Sequence, residues 1–119
     1  IDLDICNAFH GIRLHESVSA LLSVQTPWGQ FEPKFMPEGV SPASGVLMHV
    51  VSDIFNEFSE WMVVIFDNLL VLAYDYQDAI EKFKKVIKKC TYYNVVLKLS
   101  KSKFGYSSVE FFGYLCKDN

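Results

Sequence analysis

The stretch Trp61 to Tyr74, WMVVIFDNLLVLAY, constrains the fold more than any other part of the chain. Two apolar runs flank Asp67 and Asn68, the only polar pair in the neighbourhood. Val63, Val64, Ile65, Leu69, Leu70 and Val71 suit buried strands, while Asp and Asn tolerate unusual backbone angles and bond their own backbone. The stretch therefore predicts a β-hairpin turning at Asp67 and Asn68. Such a hairpin carries a carboxylate at the tip of a hydrophobic ribbon. Asp67 is then either a solvated turn residue or a metal ligand on a rigid scaffold, and the second reading needs another carboxylate from elsewhere.

The first residues supply a candidate. IDLDI alternates apolar and acidic side chains, so Asp2 and Asp4 project from one face of a short strand. Two carboxylates on one face repel each other, and the pair is tolerated at a strand end in water or where a cation neutralises it. Cys6 to His10 then reads as a turn or short helical segment, and Ile12 to Val24 as extended chain broken near His15 to Ser19. TPWGQFEPKFMPEG predicts a hairpin around Pro27 to Gln30 and an irregular connection through Pro37 to Gly39.

A helix is expected from Ser41, an N-cap candidate with Pro42 at the first helical position. Leu47, Val50, Val51, Ile54, Phe55 and Phe58 draw one continuous apolar face on it. A second helix starts at the N-cap Asp75, buries Ala79, Ile80, Phe83, Val86, Ile87 and Cys90, turns its lysines outward and closes at Asn94. Val95 to Leu99 and Val109 to Cys116, with Gly113 inside it, are predicted strands joined by the lysine-bearing turn SKSKFGYSS. Helices alternating with mainly antiparallel strands give an α+β sandwich with the helices on one face of the sheet. In such a sheet the end of the first strand and the hairpin tip lie side by side, bringing Asp4 to Asp67.

Composition narrows the class. At 119 residues, 50% hydrophobic, with four prolines and six glycines, the chain is expected to form one globular domain. Three cysteines without CxxC spacing suggest neither a disulfide framework nor a zinc site, and the three histidines form no ligand pattern. No apolar run approaches the ~20 residues of a membrane span, and no leader opens the sequence, so an intracellular protein, cytoplasmic or nuclear, is expected. The net charge of −3 hides an asymmetry: residues 1–81 hold Arg13 and Lys34 against twelve acidic residues, and residues 82–119 hold nine lysines against Glu110 and Asp118. A basic C-terminal third suits phosphates and an acidic N-terminal part suits cations, although Lys82, Lys84, Lys85, Lys88 and Lys89 also fit the wet face of one helix.

Taken together, the motifs resemble the palm of a reverse transcriptase, most closely that of gypsy-like LTR retrotransposons and their retroviral relatives, over essentially the whole chain. DICNAFHGIRL (Asp4 to Leu14) is similar to the first catalytic motif, an Asp followed five residues later by an aromatic. TPWGQFEPKFMPEGVSPAS (Thr26 to Ser44) is similar to the TPWGxYxFxxMPFGLxNAPA segment, and VVIFDNLLV (Val63 to Val71) stands in the place of the VVYLDDILV hairpin. LKLSKSKFG (Leu97 to Gly105) resembles the lysine-bearing fourth motif, and VEFFGY (Val109 to Tyr114) the primer-grip strand.

The resemblance implies a palm sheet with two helices on one face, in a ferredoxin-like or RRM-like arrangement. It also implies two-metal nucleotidyl transfer, with Mg²⁺ or Mn²⁺ ions about 4 Å apart. Asp4, Asp67 and the Ile5 carbonyl would be metal ligands, and Asp4, Asp67, Asn68 and Lys101 the catalytic set. Phe9, as a steric gate against a 2′-hydroxyl, Glu38 and Gly39 would face the nucleotide, and Phe111, Phe112 and Gly113 would grip the primer. The implied partners are an RNA or DNA template, a DNA primer, a dNTP, and the fingers, thumb and RNase H domains of one polyprotein, with no membrane.

Five positions depart from the family pattern. Asn68 stands for the second Asp of the hairpin, Ile65 for an aromatic, Glu38 for Phe or Gln, and Leu21-Leu22 for Lys-Thr. Two readings follow: a working polymerase palm, or a domesticated or decayed palm kept as a structural or interaction module.

Overall fold

The alternation in the first residues is realised as a strand. In the computed structural model, which describes residues 1–117, β1 (Asp2–Asp4) pairs antiparallel with β5 (Asn68–Val71), and β5 with β4 (Met62–Ile65), giving the order β1-β5-β4. The register places Leu3 opposite Leu69, and both are fully buried. Because side chains alternate along a strand, Leu3, Leu69 and Val71 share one face. That face is covered by α2 (Ala43–Phe55) and α3 (Tyr76–Tyr93), whose Leu47, Val51, Phe55, Val86 and Cys90 complete a single core. Burial also pushes the Cys90 thiol up to about 11, far from a reactive thiolate. The opposite face carries Asp2, Asp4 and Asn68. Next to them Val63 and Leu70 line a groove of about 1150 Å³ shared with Phe104, Tyr106, Val109 and Cys116.

Most of the remaining elements follow from local chemistry. In α3 the Asp75 carboxylate accepts the Asp78 N–H at 2.8 Å, and Asn94 ends the helix in the left-handed conformation at φ 57°. The Asp78 carboxylate accepts from Lys82 and from the Tyr74 N–H, which hold it below its ordinary value of 3.8. A depressed carboxylate contributes stability above its unfolded pKa and loses it as pH falls through the folded one, so the start of α3 loosens in acid below 3.8. Asp75→Ala is expected to cost about 1 kcal/mol in urea unfolding, the usual worth of an N-cap.

The structure corrects several sequence expectations. The break in extended chain expected near His15 to Ser19 is a six-residue helix, α1 (Glu16–Leu21), whose first turn is capped by the His15 ring accepting the Ser17 N–H. Beyond it, β2 (Val24–Thr26) and β3 (Gly29–Phe31) form the expected hairpin. Helix α2 starts at Ala43, two residues past Ser41, with Pro42 at its cap and no side-chain hydrogen bond there. Val95 to Leu99 is no strand. The Val95 N–H closes onto the Cys90 carbonyl, a single bridge joins Leu97 to Ile5, and a 3₁₀ turn takes over at Leu99–Lys101.

The predicted final strand is two strands, β6 (Ser108–Phe111) and β7 (Tyr114–Lys117). Phe112 (φ 49°) and Gly113 (φ 78°) reverse the chain between them with the double positive φ of a type I′ turn. The lysines of α3 also divide. Lys84, Lys85 and Lys88 are exposed, but Lys82 donates to the Leu72 carbonyl beneath Trp61 and Tyr74, and Lys89 pairs with Glu57 over the Phe58 and Tyr93 rings. No helix among the described residues is long and apolar enough to cross a membrane.

Candidate functional site

The pairing of β1 with β5 is what assembles the site. Asp4 sits directly opposite Asn68, and one step further the Ile5 N–H donates to the Asp67 carbonyl at 2.7 Å. Directly opposed residues on neighbouring strands have Cβ atoms roughly 4.5–5.5 Å apart. Asn68, at the second position of the Asp-Asn pair, is therefore the immediate cross-strand neighbour of Asp4. The Asn68 amide donates to Asp67 Oδ1 at 3.1 Å, which leaves its own side-chain oxygen free to accept.

The hairpin turns one residue earlier than the sequence predicts. Ile65 pairs with Asn68, so Phe66 and Asp67 occupy the two-residue turn and Asn68 opens β5. Phe66 takes φ 54°, a conformation that bulky side chains rarely adopt. Such residues cost about 1–3 kcal/mol and persist where the surroundings over-determine them. Here the Phe66 N–H donates to Met48 Sδ on α2 at 3.2 Å, and its ring meets Phe112 with centroids 6.3 Å apart. Neither Met48 nor Phe66 was singled out by the sequence. The one available signal was an aromatic side chain at the position that a two-residue loop forces to positive φ.

Electrostatics on this face is acidic at one end. Partial burial holds the Asp2 carboxyl above its ordinary value against the lowering by Lys103, and the Asp4 charge adds to the rise. Backbone bonds lace the Leu97 to Lys103 segment along β1: Lys98 N–H to the Asp4 carbonyl (2.7 Å) and a reciprocal pair between Asp2 and Lys103. Three exposed lysines, Lys98, Lys101 and Lys103, thus border the acidic strand. Lys101, the one the sequence selected, ends the 3₁₀ turn.

The other sequence-selected residues fall at varied distances from this tip. Phe9 opens a 3₁₀ turn and is half-buried against the core. Glu38 and Gly39 lie in an exposed turn ahead of α2, with Gly39 at φ 83°, and no hydrogen bond among the described residues ties them to the hairpin. Phe111 is buried at the end of β6, and Phe112 and Gly113 form the exposed turn after it.

These donors suit a hard cation. Two carboxylates, an amide oxygen and the Ile5 carbonyl, which accepts no backbone N–H among the described hydrogen bonds, are all oxygen ligands. The described residues contain no group of three or more His, Cys, Asp or Glu side chains able to hold a metal. Magnesium commonly binds through only one or two carboxylates, completing its shell with water and substrate phosphates, so the small donor set is compatible with it.

The family model for reverse transcriptase (RNA-dependent DNA polymerase) matches residues 1–116, and the chain belongs to that family. It is similar to the Transposon Tf2-7 polyprotein of Schizosaccharomyces pombe, 31% identical over 113 residues that cover 94% of this chain and 8% of that one. The Transposon Tf2-3 polyprotein of the same organism is 30% identical over the same length and shares. The chain therefore spans less than a tenth of these relatives. The fold is shared with the foamy viral protease-reverse transcriptase in complex with RNA/DNA hybrid, at a TM-score of 0.87, 16% identity, and coverage of 98% of this chain and 16% of that one. A second foamy viral structure, in complex with ds DNA, gives a TM-score of 0.89 at 16% identity, covering 98% and 22%.

Proposed function

We propose that the chain is the palm of an RNA-directed DNA polymerase encoded within a retroelement polyprotein, and that Asp4 and Asp67 bind the cations of nucleotidyl transfer. The observation that carries this is the β1–β5 register, which joins the first acidic motif to the hairpin tip. Magnesium ions held by these ligands would supply activation of the primer 3′-hydroxyl and charge stabilisation of the leaving pyrophosphate. Asp4, Asp67 and the Ile5 carbonyl supply oxygen ligands, and Asn68 supplies an uncharged one. Phe9 crowds the sugar 2′ position and so favours deoxynucleotides. Glu38 and Gly39 border the incoming nucleotide, Lys101 places a positive charge near its phosphates, and Phe111 to Gly113 support the primer end.

Template, primer and dNTP are the substrates in this reading, and fingers, thumb and RNase H domains its covalent partners. Duplex binding draws on many phosphate contacts, so the chain alone is expected to hold template-primer weakly. The test is primer extension by a polymerase assembled around this chain, with fingers and thumb taken from the Tf2-7 polyprotein. Extension of a DNA primer on RNA with Mg²⁺ or Mn²⁺ is expected.

A second reading, an inactive palm kept as a scaffold, is favoured by Asn68 lying directly opposite Asp4, where a charge is lost. No extension with either metal would select it. Restoring the charge probes the cation site itself. Asn68→Asp is expected to tighten Mn²⁺ binding by roughly tenfold, since ligand charge sets affinity in oxygen sites. Titration calorimetry on the two proteins measures the difference.

A further inference from the structure

Two bulky aromatic residues, Phe66 and Phe112, occupy left-handed backbone positions at the tips of two different hairpins, and their rings meet there. Glycine or asparagine would fill either position at lower cost. Burial does not explain the choice, because Phe66 remains 41% and Phe112 48% exposed. The contact continues inward: Phe112 packs edge-on against Phe111 with centroids 5.2 Å apart and planes at 76°, and Phe111 is buried. From the other side, Met48 Sδ holds the Phe66 N–H, and the Ile5 N–H holds the Asp67 carbonyl. Asp67 thus follows directly on a residue fixed by α2 beneath it and by the β6–β7 hairpin beside it.

We propose that Phe112 is a positioning residue for Asp67: its ring, seated on Phe66, fixes the catalytic hairpin tip relative to the β6–β7 tip, so that carboxylate and primer-supporting surface move as one unit. This rests on the reading of Asp67 as a cation ligand. A ring lost at residue 112 leaves Phe66 free to relax from its strained conformation, and Asp67, the next residue, moves with it. A purely local hydrophobic contact would leave Mn²⁺ affinity and the orientation of the Asp67 N–H bond unchanged.

The experiment uses the 119-residue chain, ¹⁵N-labelled, with MnCl₂ binding followed by electron paramagnetic resonance and the amides of Phe66, Asp67 and Ile5 followed by NMR. Phe112→Ala is expected to weaken Mn²⁺ binding roughly tenfold, the scale of losing a group that orients a ligand, and to shift those three amides. Phe112→Tyr, which keeps the ring, is expected to restore both. Phe66→Ala combined with Phe112→Ala is expected to be no worse than the worse single variant, because both remove one contact. Tyr92→Ala, on the exposed side of α3, serves as the unchanged control.

Mn²⁺ affinity within twofold of wild type in Phe112→Ala, or additive losses in the double variant, would overturn the proposal. If the wild-type chain binds no Mn²⁺, the cation reading fails on its own. Residual dipolar couplings of the Phe66 and Asp67 N–H bonds then decide the positioning role: couplings unchanged in Phe112→Ala reject it, and altered couplings that Phe112→Tyr restores support it.

Discussion

Asp67→Ala is expected to lower primer extension by a polymerase assembled around this chain about a thousandfold, the scale set by removing a group that meets transition-state charge. The fold should survive the change. Asp67 lies in a turn, only half-buried, and its fixed main-chain contact, the Ile5 N–H on its carbonyl, does not involve the side chain. Unfolding by urea should therefore stay close to that of the parent chain while extension disappears. Asp4→Ala is expected to behave alike, because Asp4 stands on the open face of β1, opposite Asn68 and away from the Leu3–Leu69 core contact. Comparable extension by parent and Asp67→Ala would remove the catalytic assignment and leave the hairpin as a structural turn.

The largest effect on stability is expected at Phe55. It is 1% exposed at the end of α2, in the one core that joins both helices to the sheet, and its ring lies 6.4 Å from Phe58. Phe55→Ala removes most of that ring's burial and leaves a cavity, for a cost of about 3–5 kcal/mol. Domains of this kind are stable by only about 5–15 kcal/mol, so the variant sits near the edge of folding. Leu21→Ala makes the contrast, since Leu21 is 84% exposed and its loss should shift stability by no more than about 0.5 kcal/mol. Urea titrations of the two proteins, read by circular dichroism, check both figures.

What the sequence made legible was governed by short-range chemistry. The α3 boundaries were readable because Asp75 is a side-chain cap and Asn94 accepts a left-handed φ. The apolar face of α2 was readable because Leu47, Val51 and Phe55 recur at helical spacing. The approach of β1 to the hairpin tip was readable because Asp2 and Asp4 alternate with apolar neighbours, and the register keeps Leu3 against Leu69. Where tertiary contacts decide, reading failed. Helix α1 has six residues, too few for periodicity to show, and is held by contacts such as the Ser19 hydroxyl on the Pro33 carbonyl.

The β6–β7 turn has the sequence pattern of one strand, because Phe-Gly lacks the Asn or Asp that usually announces such a loop. The same missing signal hid Phe66 as the true turn residue. In both hairpins an aromatic ring takes the strained position, and the partner that stabilises it comes from another element. No local pattern encodes such a pair.

The central claim is that Asp4 and Asp67 share a cation, and Mn²⁺ titration of the chain by electron paramagnetic resonance tests it most directly. Binding by the wild-type chain that weakens by at least about tenfold in both Asp4→Asn and Asp67→Asn, but not in Glu81→Gln on the exposed side of α3, is the predicted result. Equal Mn²⁺ binding by all four proteins, or none by the wild type, would contradict it.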